Sequence, residues 1–125
     1  MKCRIILELL AILFFTGCYN REQISRLDEA EALIQNKPDS ALTILQQLKS
    51  EGSQAEQAKY ALLYSEALDK NHIKATNDSL IRRAWEYYKH HPKDLRRQCK
   101  TLYYWGKVKL RTGDKPGALR LYLKV

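Results

Sequence analysis

From Ile24 onward the apolar residues recur at intervals of three and four, the spacing of one helical face, with almost no strand-like alternation. Ile24, Leu27, Ala30, Leu33 and Ile34 mark a first helix, with Ala32 less regular, and Asn36-Lys37-Pro38 ends it. A proline disfavours helical geometry at the residue before it. Asp39 or Ser40 is placed to cap a second helix through Ala41, Leu42, Ile44, Leu45 and Leu48. After the loop Ser50-Glu51-Gly52-Ser53, a third helix is expected from about Gln54 to Asp69, with Ala58, Ala61, Leu62, Tyr64, Ser65 and Leu68 on its apolar face. Lys70 to Asn77 is the least regular stretch and reads as a long loop. Asn77 or Asp78 then caps a fourth helix, Ser79 to about His90, with Leu80, Ile81, Ala84, Trp85 and Tyr88 inward until Pro92 stops it. A fifth helix is expected from about Lys93 to Arg111, and Gly113 supplies a turn where positive φ is easiest for glycine. The sixth begins near Pro116, a residue tolerated in a first helical turn, and reads as incomplete at Val125. The pattern therefore predicts an all-α fold of about three helical hairpins.

The N-terminus reads differently. Met1-Lys2-Cys3-Arg4 is a basic head, and Ile5 to Phe15 is an almost wholly apolar run of eleven residues. That is shorter than the roughly 20 residues a helix needs to span a bilayer core of about 30 Å. Basic head, apolar run and small residues form the layout of a secretory signal. Phe15-Thr16-Gly17-Cys18 resembles a bacterial lipobox, in which the cysteine becomes the lipidated first residue of the mature protein. The resemblance implies a signal peptide at 1–17, a lipid anchor on Cys18, a short tether at 18–22 and a folded domain at 23–125. Several acyl chains would anchor firmly, at about 0.8 kcal/mol per buried methylene. Cys3 would then leave with the signal, and Cys99 would be the one remaining thiol, with no internal disulfide to form. Its place on an apolar helical stripe favours a small buried residue over a nucleophile.

Three hairpins invite a search for a repeat. In the last of them Trp105-Gly106 follows Leu102, Ala118 comes twelve residues after the glycine, and Tyr122 comes four after that. A small residue in one helix lets the facing helix approach, the alanine seats against it, and the aromatic fills the remaining gap. This spacing resembles the tetratricopeptide pattern, with Leu102 where that pattern prefers tryptophan and Lys109 where it prefers tyrosine. Tyr64-Ser65, Leu80 and Ala84 match it more loosely in the middle hairpin, with about three extra residues in between. The first hairpin carries Asp39-Ser40-Ala41-Leu42 and Leu45 without a glycine partner. With the lipobox-like segment, Leu27-Asp28-Glu29-Ala30-Glu31, Ala58-Lys59-Tyr60-Ala61-Leu62-Leu63 and Asn77-Asp78-Ser79-Leu80-Ile81, the whole chain resembles tetratricopeptide-repeat lipoproteins of Bacteroidetes-type bacteria. The resemblance implies a right-handed α-solenoid in the cell envelope whose concave surface binds another protein or peptide. The first helices of the hairpins usually line that surface. Tyr60, Lys100, Tyr104, Lys107 and Arg111 are accordingly read as exposed contact candidates.

Charge adds a second possibility. The chain carries a formal +8, but Arg21 to Asp69 holds five Lys/Arg against nine Asp/Glu, and Lys70 to Val125 fifteen against four. Such asymmetry suits an anionic surface, or two halves of a stack that complement each other. Trp85, Tyr87, Tyr88, Tyr103, Tyr104 and Trp105, interleaved with Arg82, Arg83, Arg96, Arg97 and Lys100, could stack bases and bind phosphates. Adjacent aromatics diverge around a helix, however, so about half of each group is needed for packing, and export would remove the chain from nucleic acid.

Catalytic chemistry finds no foothold. His90 and His91 point about 100° apart on a helix and suit a helix C-terminus better than a metal. His72 has no Cys or acidic ligand at metal spacing, and Asp28, Glu29 and Glu31 suit an exposed helical face. There is no phosphate-cradling glycine loop, nucleophile elbow or zinc motif. The sequence thus predicts a non-enzymatic, anchored binding scaffold without cofactor or metal, and with no nucleic-acid partner. Two rivals are an extracytoplasmic sensory part of a larger repeat-containing transcriptional regulator and a basic nucleic-acid-binding helical module. The apolar final helix (Leu119, Leu121, Tyr122, Leu123, Val125) also allows pairing with a second copy.

Overall fold

A computed structural model describes residues 2–125, with side chains described for 2–13 and 21–125. Six α-helices account for its regular structure: α1 (Lys2–Leu33), α2 (Pro38–Gln47), α3 (Gln54–Lys70), α4 (Ser79–Tyr88), α5 (Leu95–Arg111) and α6 (Lys115–Tyr122). There is no strand among the described residues. Short connections force consecutive helices to run antiparallel, as in helical hairpins. Each helix touches the next, and α3 also touches α1 and α5. Among the described residues α2, α4 and α6 make no contact with one another. The result is a one-dimensional stack whose alternate helices share a front face.

The core divides accordingly. Leu27, Ala30 and Ile34 of α1 join Ala41, Leu42, Ile44 and Leu45 of α2 and Leu63 and Ala67 of α3 in one cluster. Ala58, Ala61 and Leu62 on the other side of α3 join Ile81, Ala84 and Tyr88 of α4 and Tyr104 and Val108 of α5 in a second. Because α3 must bury two sides, small residues recur along it, and Ala58, Ala61 and Ala67 let neighbouring backbones close in.

Several boundaries differ from the sequence expectation. α2 starts at Pro38 itself, and neither Asp39 nor Ser40 caps it, because proline is already preset for a first helical position. α4 stops at Tyr88, two residues short of His90. Asp78 stands at its N-cap position without capping it, since the carboxylate is engaged by side chains instead. Asp94 caps α5 by accepting from Arg97 N at 3.2 Å, and Asp114 caps α6 by accepting from Gly117 N at 2.9 Å. α6 ends at Tyr122, and turn-type backbone bonds carry on to Val125. Gly113 does take positive φ, at 87°. Ile24 is exposed rather than inward, and Cys99 is half-buried rather than fully buried. The apolar residues Ile5 to Leu13 are exposed on α1. No helix among the described residues is long and apolar enough to cross a membrane.

Candidate functional site

The front face is made by α1, α3 and α5 lying side by side, and ion pairs run across it. Lys59 of α3 reaches Asp28 at 2.6 Å and Glu31 at 2.7 Å, both on α1. Arg97 of α5 reaches the other oxygen of Glu31 at 2.9 Å and Asp94 at 2.8 Å. One level along, Glu66 of α3 accepts from Gln35 at 3.0 Å and from Lys100 of α5 at 2.7 Å. At the far end Asp69 of α3 meets Lys107 at 2.5 Å and Arg111 at 2.7 Å. Acidic α1, mixed α3 and basic α5 thus neutralise one another across the stack, and the uneven charge of the sequence has this as one use.

The electrostatics follow from placement. Burial pushes the Glu31 carboxyl up, but Lys59 and Arg97 outweigh it and hold it below the usual carboxylate range. Burial likewise pushes Lys59 down, and Asp28 and Glu31 more than reverse the effect. Tyr104 is raised above the ordinary phenol, first by burial and then by Glu66 and Asp69. One oxygen of Asp69 lies in ion-pair range of Arg111 yet accepts no aligned hydrogen bond. Beside it Ser65, Asp69, Tyr104 and Lys107 line a cavity of about 20 Å³, room for about one water.

Each residue expected from the sequence can be placed on this frame. Tyr60 is half-buried and stacks on Tyr64 with ring centroids 5.6 Å apart. Lys100, Lys107 and Arg111 lie on the front face, but each is engaged by Glu66 or Asp69. The expected exposure of Tyr104 is corrected: the ring is buried in the second core cluster, because α3 packs over this side of α5. Ser65 bonds back to Ala61 O at 2.8 Å, Ala84 and Ala118 are buried, and Leu80 packs half-buried on the second cluster. Trp105 donates from Nε1 to Asp78 at 2.9 Å, tying α5 to the start of α4. Gly106 faces the Tyr122 ring, and an added Cβ would overlap it. The side chain of Cys18 lies outside the described residues. Among the described residues, no group of three or more His, Cys, Asp or Glu is arranged to hold a metal ion.

Sequence reasoning missed the acids. Glu66, Asp69 and Asp78 carry most of the ties between helices, whereas the sequence marks Asp78 only as a candidate cap, Asp69 only as a helix end and Glu66 not at all. The one signal was Glu66 standing between Ser65 and Ala67 on a face otherwise reserved for small or apolar residues.

Comparison with family models finds no match, and comparisons with curated proteins and with solved structures return none either. The reading of this face therefore rests on its own geometry.

Proposed function

We propose that the chain is a tetratricopeptide-like scaffold of the bacterial cell envelope, exported, anchored through a lipidated Cys18, and binding a protein or peptide on its front face. One observation carries the reading: alternate helices share a face while the remaining helices stay apart behind it. A stack with this contact pattern buries a continuous core and leaves one long surface for a partner. The tied ion pairs sharpen the mechanism. A partner does not meet free cations at Lys100, Lys107 and Arg111 but a rigid, locally neutral floor edged by exposed Asp28 and Gln35. Recognition on such a floor depends on shape and on hydrogen bonds to a preformed surface, which lowers the ordering cost of binding.

The test is photo-crosslinking in the native host. A crosslinking amino acid at Asp28 or Gln35 is expected to give a discrete protein adduct, and one at Thr43 of α2 or Arg83 of α4 is not. Adducts from the back positions alone would overturn the assignment. Mass spectrometry of the N-terminus tests the anchor: an acylated Cys18 supports it, and an intact Met1 sinks it.

A further inference from the structure

We infer that the end of the stack formed by loops 48–53 and 89–94 docks on an anionic lipid headgroup layer. The inference rests on the anchoring half of the function proposed above and adds the orientation of the molecule.

Topology gathers the surface. Helix directions alternate, so the α2–α3 and α4–α5 connections lie at the same end of the stack. Gln23 of α1 confirms the level, donating to Lys49 O at 2.7 Å and Glu51 O at 3.0 Å. Gln98 of α5 does the same at the other connection, donating to Tyr88 O at 2.9 Å. The α1 helix enters the stack at this end. An anchor at Cys18, five residues before Gln23, would hold these loops within about 8 Å of travel along a helix from the lipid.

The chemistry of the end suits that position. Lys49, Lys93 and Arg96 are exposed, and none makes an ion pair among the described residues. His90 and His91 are exposed beside them. Of the acids at this end, Glu86 and Asp94 are engaged, by Lys89 at 2.6 Å and by Arg97 at 2.8 Å, while the exposed Glu22 and Glu51 stand beside Lys49, so the surplus of positive charge lies at 89–96. Leu95 stands 63% exposed between Asp94 and Arg96. Unpaired cations around an exposed leucine are what a headgroup layer attracts, the cations by surface potential and the leucine by burial. The opposite end also has cations, Lys37, Lys74 and Lys115. They sit about 25 Å away along a 17-residue helix, beyond the Debye length at physiological salt.

Hydrogen exchange of the chain purified from its native host, in the processed form that begins at Cys18, on vesicles tests the proposal. Phosphatidylcholine vesicles with phosphatidylglycerol are compared with phosphatidylcholine alone. Protection of residues 48–53 and 89–96 is expected with the anionic lipid only. Raising ionic strength from about 0.01 to about 1 M shortens the Debye length from about 30 to about 3 Å and should remove it. The triple variant K49E/K93E/R96E should weaken the phosphatidylglycerol-dependent part roughly a hundredfold, and K37E/K74E/K115E should leave it intact. Equal protection on both vesicles, protection at loop 71–78, or equal loss in both triples would overturn the proposal. So would a single-stranded oligonucleotide that protects the same loops more strongly than the vesicles do. A chain held on neutral vesicles with loops unprotected on either lipid would keep the anchor and sink this surface. Anionic protection of a chain that neutral vesicles do not retain would keep the surface and sink the anchor.

Discussion

Removing Lys100 should harm the fold more than altering the acid it serves. Glu66 and Lys100 meet at 2.7 Å, but their side chains are 1% and 24% exposed respectively. In Lys100→Met the carboxylate stays almost wholly buried, and Gln35, at 3.0 Å, and the neighbouring Tyr104 hydroxyl are its remaining side-chain partners. Stranding one charge of a buried pair costs about 3–5 kcal/mol, and the surviving Gln35 bond brings the expectation here to about 2–4 kcal/mol. In Glu66→Gln the lysine can swing its ammonium outward and the amide keeps an acceptor, so a loss of about 1 kcal/mol is expected. Urea unfolding followed by circular dichroism reads both quantities as differences from wild type. The double variant Glu66→Leu/Lys100→Met should return to within about 1 kcal/mol of wild type, since apolar replacement of a buried pair is often neutral or better. A Lys100→Met loss smaller than that of Glu66→Gln would refute the reasoning.

Three further outcomes are expected. Gly106→Ala gains about 1 kcal/mol of helix propensity but drives a methyl into the Tyr122 ring, so a net loss of about 1–2 kcal/mol should appear as faster hydrogen exchange in α6 alone. Adding Tyr122→Ala to it should recover the exchange rate. At Asp78 burial works to raise the carboxyl, but Trp105, Arg82 and Lys109 hold it below the usual range. A depressed value contributes stability above the ordinary aspartate value of about 3.9 that is lost as pH falls through the folded one, so Asp78→Asn should cost about 1–2 kcal/mol at pH 7 and progressively less below about pH 4. The urea midpoint against pH measures it. Asp94→Ala removes the α5 cap and the Arg97 contact together, and a loss of about 1–2 kcal/mol by thermal melting is expected.

What was legible in the sequence was whatever one helix decides alone. Leu27, Ala30 and Ile34, or Ile81, Ala84 and Tyr88, each fall on one face by spacing, and each set is buried as expected. Boundaries were less legible where a proline or an acid had two uses. Pro38 is itself the first residue of α2, after α1 has already ended at Leu33, and Asp78 gives its oxygens to Trp105 and Arg82 instead of the α4 backbone.

The candidate site shows the deeper limit. Lys100, Tyr104, Lys107 and Arg111 follow one another at four, three and four residues, so periodicity rightly puts them on one face of α5. Periodicity cannot say whether that face looks at solvent or at another helix, because a groove and a neighbour ask for the same spacing. The answer depends on how far α5 slides along α3, which sets Glu66 beside Lys100 and Asp69 beside Lys107 and Arg111. That slide is a property of two helices and of α4 and its two connections between them, and no single window of sequence carries it. Once made, it turns a stripe that reads as a ligand site into the mortar of the stack. Specificity for a partner must then come from the exposed edges of the mortar, which is why the crosslinking positions lie at Asp28 and Gln35, solvent-facing although bonded to Lys59 and to Glu66, and not on the cations of α5.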